Sequence, residues 1–293
     1  PKYIIINKKI KKNNFIRFLG SDFKKGEIII KKGEIINPQH ILAFKTLGVK
    51  KILVKKKPKI VFYTTGNEIS NSSKIPNWKV RNSNSYYLKS FLENLPFSFL
   101  EKKILRDNDL IKFKKEIKTN LKSNTDLIIT SGAVSAGKFD FVPKIINSFK
   151  LKYYFKGAYI RPGKPLMFAK FRNNKAFFGL PGNPISSAAC FRFFVLPFLY
   201  FSTGVPDKKP IKAKIKNQLI KKKKFTRFIK GKLSFSKKGI AEFEVHTGQE
   251  SFRIKPFTKS NAWGLFPSGK GNFKKGDLIE CYNSEITNKF FFK

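Results

Sequence analysis

Four Gly- or Pro-rich loops carry most of the chemistry that this chain can offer. They are Thr64-Thr65-Gly66-Asn67-Glu68, Ser131 to Gly137 with Asp140 close behind, Arg161-Pro162-Gly163-Lys164-Pro165, and Gly179-Leu180-Pro181-Gly182-Asn183-Pro184, which leads into Ser186. Glycine lets a backbone approach a ligand closely, and the N–H groups freed in such turns form anion-binding concavities. A helix that begins where the loop ends adds its dipole. Arg161 and Lys164 contribute full positive charges. Glu68, Asp107 and Asp140 are carboxylates at loop tips in a chain that has only 18 acids. Carboxylates beside an anion cradle point to a Mg2+ ion bridging phosphate oxygens. Taken singly, each feature has a plainer reading. A Gly-rich turn is only a turn, Asp107 caps the helix that follows, and Lys164 is a solvated lysine. Four such loops in succession are what the plainer readings explain poorly.

Sharper rivals fail on single residues. Gly132 to Lys138 fits G-x-x-x-x-G-K, but a phosphate-binding P-loop needs Ser or Thr next, and the chain has Phe139. No G-x-G-x-x-G follows a strand, so a dinucleotide fold lacks its fingerprint. His40 and His246 lie in unrelated segments, which leaves no Ser-His-Asp arrangement. Neither they nor Cys190 and Cys281 have metal-ligand spacing, so a zinc site and a disulfide scaffold are both excluded.

The elements that must position the loops alternate. Ile60 to Tyr63 and Asp126 to Thr130 read as short buried strands. Residues 84 to 95 have helical spacing, Asp109 can cap a second helix ending near Leu121, and Phe141 to Phe149 is a third. Two strands follow, Leu166 to Phe171 and Ala176 to Leu180, then a long apolar helix from about Ser186. Strands alternating with helices imply βαβ units and a parallel sheet, which binds ligands at the carboxyl ends of its strands. From Pro206 short strands with Gly turns take over: Ile211 to Ile220, Phe225 to Leu233, Ile240 to His246 and Leu278 to Tyr282. Upstream, residues 15 to 57 read as a small β-rich unit with one helix, Pro38 to Leu47, and the chain opens in strand-like Tyr3-Ile4-Ile5-Ile6. Because it begins at Pro1, the chain is expected to be N-terminally incomplete.

The 293 residues suggest about two domains. At 41% hydrophobic, with 33 Phe, they can build a large core, which excludes a disordered chain. The net charge of +44 invites a nucleic-acid partner, but 54 of the 62 basic residues are Lys and they are spread along the whole chain. Phosphate and base recognition favours the planar Arg fork. Abundant Lys, Ile, Asn and Phe with scarce Ala match the drift of an AT-rich genome, and specific nucleic-acid binding is not expected. The longest apolar stretch, Phe193 to Phe201, is too short for a membrane span, and no signal peptide is visible, so the expected location is the cytoplasm.

In this order the loops resemble the MoeA family of molybdopterin molybdenumtransferases, to which gephyrin's E domain also belongs. The family's T-G-[DN]-E is matched by Thr65 to Glu68, its S-G-G-x-S-x-G and following Asp by Ser131 to Gly137 and Asp140, its P-G-K-P by Pro162 to Pro165, and its G-L-P-G-N-P-x-S by Gly179 to Ser186. Ile16, Arg17, Gly20, Asp22 and Gly26 follow its I-R-x-x-G-x-D-x-x-x-G run. The resemblance implies an α/β fold: a doubly wound, mostly parallel molybdopterin-binding domain over residues 58–206, flanked by a remnant of the N-terminal and linking domains (1–57) and a small C-terminal β-domain (207–293). The family's preceding segment, about 130 residues, is expected to be missing.

The implied reaction is insertion of molybdate into adenylylated molybdopterin, with release of AMP and help from Mg2+. Glu68 and Asp140 would serve the metal and catalytic region, with Asp107 supporting. Lys164 and Ser186 would bind the oxyanions, with Arg161 nearby. Thr65, Gly66, Ser131, Gly132, Ser135, Gly137, Pro162, Gly163 and the Pro181-Gly182-Asn183-Pro184 loop would shape the pterin and phosphate pocket. Lys230 and Ser251 match positions lining the molybdate site. Three departures stand out: Ala133 replaces the second Gly, Asn67 a frequent Asp, and Lys230 a frequent Arg. The implied partners are small anionic substrates and, at full length, a second copy in a homodimer. The alternatives are the adenylyltransferase of the preceding step, which belongs to the MogA family and shares the middle domain, and a non-catalytic molybdopterin-binding scaffold.

Overall fold

The computed structural model describes residues 2–93, 95, 97–102, 104–134, 141–205 and 209–284. The chain divides into two compact units, Pro1–Val54 and Lys55–Lys293. In the first, the helix α1 (Pro38–Thr46) opens as its residues dictate. Asn37 accepts a hydrogen bond from the His40 N–H, His40 Nδ1 accepts one from the Asn37 N–H, and Pro38 takes the first helical position. The rest departs from the sequence reading. Residues 2–54 contain no strand, and Tyr3, Ile4, Ile5 and Ile6 are 62–89% exposed. A β-prone run becomes a strand only when a neighbour takes its hydrogen bonds, and none is paired here.

The second unit begins with β1 (Lys59–Thr64), a minimal pair β2 (Ile69–Ser70) and β3 (Val80–Arg81), α2 (Asn84–Leu92), β4 (Ser98–Glu101) and α3 (Leu110–Lys122). It continues with β5 (Leu127–Ser131), α4 (Phe141–Asn147), β6 (Leu151–Lys156), β7 (Ile160–Arg161), β8 (Met167–Phe171) and β9 (Ala176–Leu180). Then come α5 (Pro184–Cys190), a π-helical turn Phe191–Val195 and α6 (Leu196–Thr203). The sheet order is β4-β1-β5-β9-β8-β6, parallel through β9, with β8 antiparallel to both of its neighbours.

Burial explains the pattern. β5 and β9 are buried at every residue, as strands covered on both faces must be, whereas the edge strand β6 alternates. Ile60, Phe62, Ile129 and Phe178 pack with α2, α5 and α6, while Val61, Tyr63, Ile128 and Phe177 pack with α3 and α4. Alternate residues of the same strands thus feed two cores, which is the doubly wound arrangement. The edge strands β4 and β6 were absent from the sequence reading, because half-exposed short segments lack the unbroken apolar run that marked β1 and β5.

The long apolar helix expected from about Ser186 begins at Pro184. Pro184–Thr203 spans 20 residues and is long and apolar enough to cross a membrane by length and composition, yet 67% of its 18-residue apolar stretch, of mean hydropathy 1.5, is buried inside the protein. It is the core helix on which the C-terminal domain docks: Phe193 stacks on Phe228 with ring centroids 3.9 Å apart.

That domain comprises β10 (Ile211–Ile215), β11 (Leu219–Ile220), β12 (Thr226–Phe235), β13 (Ala241–Val245), α7 (Lys255–Thr258), β14 (Ala262–Phe266), β15 (Asn272–Phe273) and β16 (Leu278–Asn283). The run expected as one strand, 211 to 220, is two strands in different sheets, and β14 is new. The order β13-β10-β16-β14-β12 closes on itself because β12 also pairs with β13, giving a five-stranded ring around Ile215, Ile229, Leu233, Phe243 and Ile279. The ten-residue β12 meets three partners in turn. Its first two residues pair with β7, a strand from the middle of the α/β domain.

Candidate functional site

Strand register brings the loops together. Thr64 is the Cα partner of Ser131, and Ser131 of Leu180. β8 runs back the other way, so Met167 stands opposite Gly179 and Lys156 opposite Met167. The loops that start at Thr65, Gly132 and Pro181, and the one that ends at Pro165, therefore leave the sheet along one edge. The third loop precedes its strand, and antiparallel β8 is the reason that it still reaches the rim.

Hydrogen bonds fasten the loops to one another. The Thr65 N–H and Oγ1 both donate to Ser131 O, at 2.9 and 3.1 Å. The Gly132 N–H donates to Leu180 O at 3.0 Å. Gly132 has φ +97°, and a Cβ there would lie 2.6 Å from Thr65 O, so no other residue fits. Next to it, Ala133 sits in the left-handed region at φ +50°. Asn84, the buried first residue of α2, donates through Nδ2 to Ser131 Oγ at 2.6 Å and to Gly182 O at 2.8 Å. Ser131 Oγ in turn donates to Pro181 O at 3.2 Å. Asn84 thus staples the second loop to the fourth.

The first loop has its own clamp. Arg106 Nη1 reaches Gly66 O, Asn67 O and Ile69 O at 3.2, 3.0 and 2.9 Å. The Asp107 N–H donates to Asn67 Oδ1 at 3.1 Å, which places Asp107 against the loop that carries Glu68. The N-cap position of α3 belongs to Asp109, not Asp107, and its carboxylate accepts from the Arg106 N–H at 2.9 Å rather than from the helix. Glu68 is exposed, with its carboxylate folded over Gly66. Sequence reasoning missed Asn84 and Arg106. Asn84 reads locally as a helix-start residue and Arg106 as one more surface cation, and only long-range contacts reveal them.

Lys164 is exposed and lines a cleft of about 690 Å3 with Val134, Lys156, Tyr159, Met167 and Lys224. Behind Pro162, Gly163 packs on the buried Cys190, whose Sγ lies 3.5 Å from Gly163 O. Gly182 and Asn183 are exposed at the rim, Pro184 is the first residue of α5, and Ser186 is buried in its first turn at 5% exposure. Asn183 Nδ2 donates to Ser251 Oγ at 3.2 Å, joining a barrel loop to the fourth loop.

Lys230 departs from expectation. Its ammonium donates to Gly248 O, Glu250 O and Arg253 O at 3.0, 3.2 and 3.0 Å. Three donors thus meet three carbonyls, and none is left for an oxyanion. Lys230 instead orders the loop that presents Ser251, and burial, opposed by Glu250 and helped by Arg227 and Arg253, pulls its ammonium down to about 8. Ser135, Gly137 and Asp140 lie outside the described residues.

Comparison with known proteins agrees with this arrangement. Residues 62–200 match the family model of a probable molybdopterin binding domain, and residues 212–283 match that of the MoeA C-terminal region, domain IV. A molybdopterin molybdenumtransferase from Staphylococcus aureus strain Mu50 is 31% identical over 284 residues, covering 96% of this chain and 67% of the relative. One from Staphylococcus epidermidis strain ATCC 12228 is 31% identical over 289 residues, covering 97% and 68%. Among solved structures, the molybdopterin biosynthesis moeA protein from Pyrococcus horikoshii OT3 superposes with a TM-score of 0.72 at 26% identity, covering 89% of this chain and 63% of that one. The chain thus spans about two thirds of the length of these relatives. With the loops in family order along one edge and the barrel docked behind them, the chain belongs to the molybdopterin molybdenumtransferase family.

Proposed function

We propose that this chain inserts molybdate into adenylylated molybdopterin, releasing AMP and yielding the molybdenum cofactor. The observation that carries the reading is the convergence of four loops on one sheet edge, with the exposed Lys164 and Glu68 among them. The substrate brings phosphates and a dithiolene, and molybdate is a dianion, so the site has to hold two anions close together. Lys164 offsets that repulsion with its exposed ammonium, and the turns at Thr65, Gly132 and Pro181 bring backbone close enough to shape the pterin and phosphate pocket. Asn183 and Ser251 bring a barrel loop to the same rim.

Among the described residues no three His, Cys, Asp or Glu side chains cluster as a metal cage. Mg2+ at a phosphate site needs only one or two protein carboxylates, and Glu68, exposed and without an ion pair among the described residues, fits that demand. When bound, Mg2+ would neutralise charge on the phosphoanhydride. Asp140 is the second carboxylate of this proposal. On this reading the protein acts in the cytoplasm as a homodimer.

The test is AMP release by the full chain given molybdate, Mg2+ and adenylylated molybdopterin, followed by chromatography. Lys164→Met and Asp140→Ala should each slow molybdate-dependent release by a factor on the order of 100. A Lys164→Met chain with the full rate would overturn the assignment.

A further inference from the structure

A group of cations at the junction of β7 and the barrel has no acid among its partners in the described residues. β7 and β12 run parallel, and Arg161 and Arg227 are direct Cα partners. Direct partners project from the same face of a sheet, so two guanidinium groups are held side by side, an arrangement that is unfavourable by itself. Among the described residues neither forms an ion pair or a hydrogen bond. The Arg161 guanidinium lies 4.5 Å from the centre of the Phe225 ring, and Arg227 Nε is buried without a partner. Lys221, 7% exposed, is a third cation, and its ammonium spends one donor on Phe225 O at 2.8 Å. Burial first, and then the adjacent arginine, weakens proton binding at Lys221, through Arg227, and at Arg227, through Arg161. Lys221 is buried and Arg227 partly so, while Arg161 stays exposed at the mouth of the group. Cations drawn out of water are normally paired, and the partner missing from Lys221 and Arg227 is an anion. The apolar wall of Phe225 lowers the local dielectric and strengthens any such pairing.

We propose that Arg161, Arg227 and Lys221 form a binding site for a doubly charged tetrahedral oxyanion of the phosphate type. Each planar guanidinium fork can give two parallel N–H donors to such an ion, and Lys221 has two donors left. The inference does not rest on the transferase reading, because Arg227 and Lys221 belong to none of the four loops. Arg161, which directly precedes Pro162, is the link between this site and the rim.

Isothermal titration of the full chain with inorganic phosphate, at an ionic strength fixed with chloride, tests the site. Wild type should bind phosphate and melt at a higher temperature in its presence. Arg227→Gln should bind at least about tenfold more weakly, the loss expected for a charge-assisted hydrogen bond. Without phosphate the same variant should melt no lower than wild type, because a like-charge contact has gone. Lys212→Gln, on the exposed face of β10, should bind as wild type does, which controls for general loss of charge. A parallel titration with AMP distinguishes a phosphate monoester, which would bind more tightly than phosphate, from the free ion; both results support the site. Absence of phosphate-specific binding by wild type, or Arg227→Gln binding within twofold of it, overturns the proposal.

Discussion

Replacing Asn84 with Ala removes the staple between the second and fourth loops. Two hydrogen bonds are lost, to Ser131 Oγ at 2.6 Å and to Gly182 O at 2.8 Å. Gly182 is exposed, so water can take over its carbonyl, and Ser131 Oγ keeps Pro181 O as its acceptor. No group therefore bears the full penalty of a buried orphan, and the cost is close to two net hydrogen bonds, about 2 kcal/mol in all. That corresponds to a fall of roughly 4–8 °C in Tm for a unit of this size. Urea unfolding of wild type, Asn84→Ala, Ser131→Ala and the double variant completes a cycle that isolates the pair, with a coupling energy of about 0.5–1.5 kcal/mol expected. AMP release should fall in Asn84→Ala, because the two loops no longer share a register. If the coupling is below about 0.3 kcal/mol, or if activity is unchanged at the full stability cost, the stapling argument is wrong.

Two further outcomes concern single backbone and charge features. Ala133 holds a left-handed conformation that costs an L-residue about 1–2 kcal/mol, partly offset in glycine by extra unfolded-state freedom. Ala133→Gly should therefore be neutral to about 1 kcal/mol stabilising, while Ala133→Val should clearly destabilise; the reverse order in thermal melts would contradict the strain. The Lys230 ammonium has a value of about 8 in the folded chain against the usual 10.5. Between those values the unfolded chain binds the extra proton, so this group's contribution to stability rises with pH by at most about 1.4 kcal/mol per unit. Lys230→Met should melt lower overall and lose that part of the slope of Tm against pH from 8 to 10.5; an unaltered slope would show that Lys230 does not titrate there.

The order of the loops was legible because their glycines and prolines are local requirements. A backbone that must turn at φ +97° beside Thr65 writes Gly132 into the chain whatever surrounds it. The central strands were legible too, since burial on both faces demands unbroken apolar runs such as Ile60 to Tyr63. What stayed hidden depends on distant partners. Asn84 acts across 47 residues on Ser131 and across 98 on Gly182, and no local pattern marks such a pairing. Lys230 resembled a family position lining the molybdate site, but three carbonyls of one nearby loop claim its charge. Residues 2–54 show the opposite failure, where strong β-propensity found no strand to pair with.

The two-residue strand β7 changes how separable the parts of this protein are. Tyr159 O accepts the Thr226 N–H at 3.0 Å, and Ile160 is 93% covered in a core that also holds Phe228 and Trp263 of the barrel. A gene cut after α6 would not release a self-contained α/β module. It would leave an open ladder beside the Pro162–Pro165 turn and an uncovered Ile160 next to it. The barrel thus acts less as an appended domain than as the last layer of the domain before it. Exchange of C-terminal domains between relatives would have to carry residues 159–161 along with the graft.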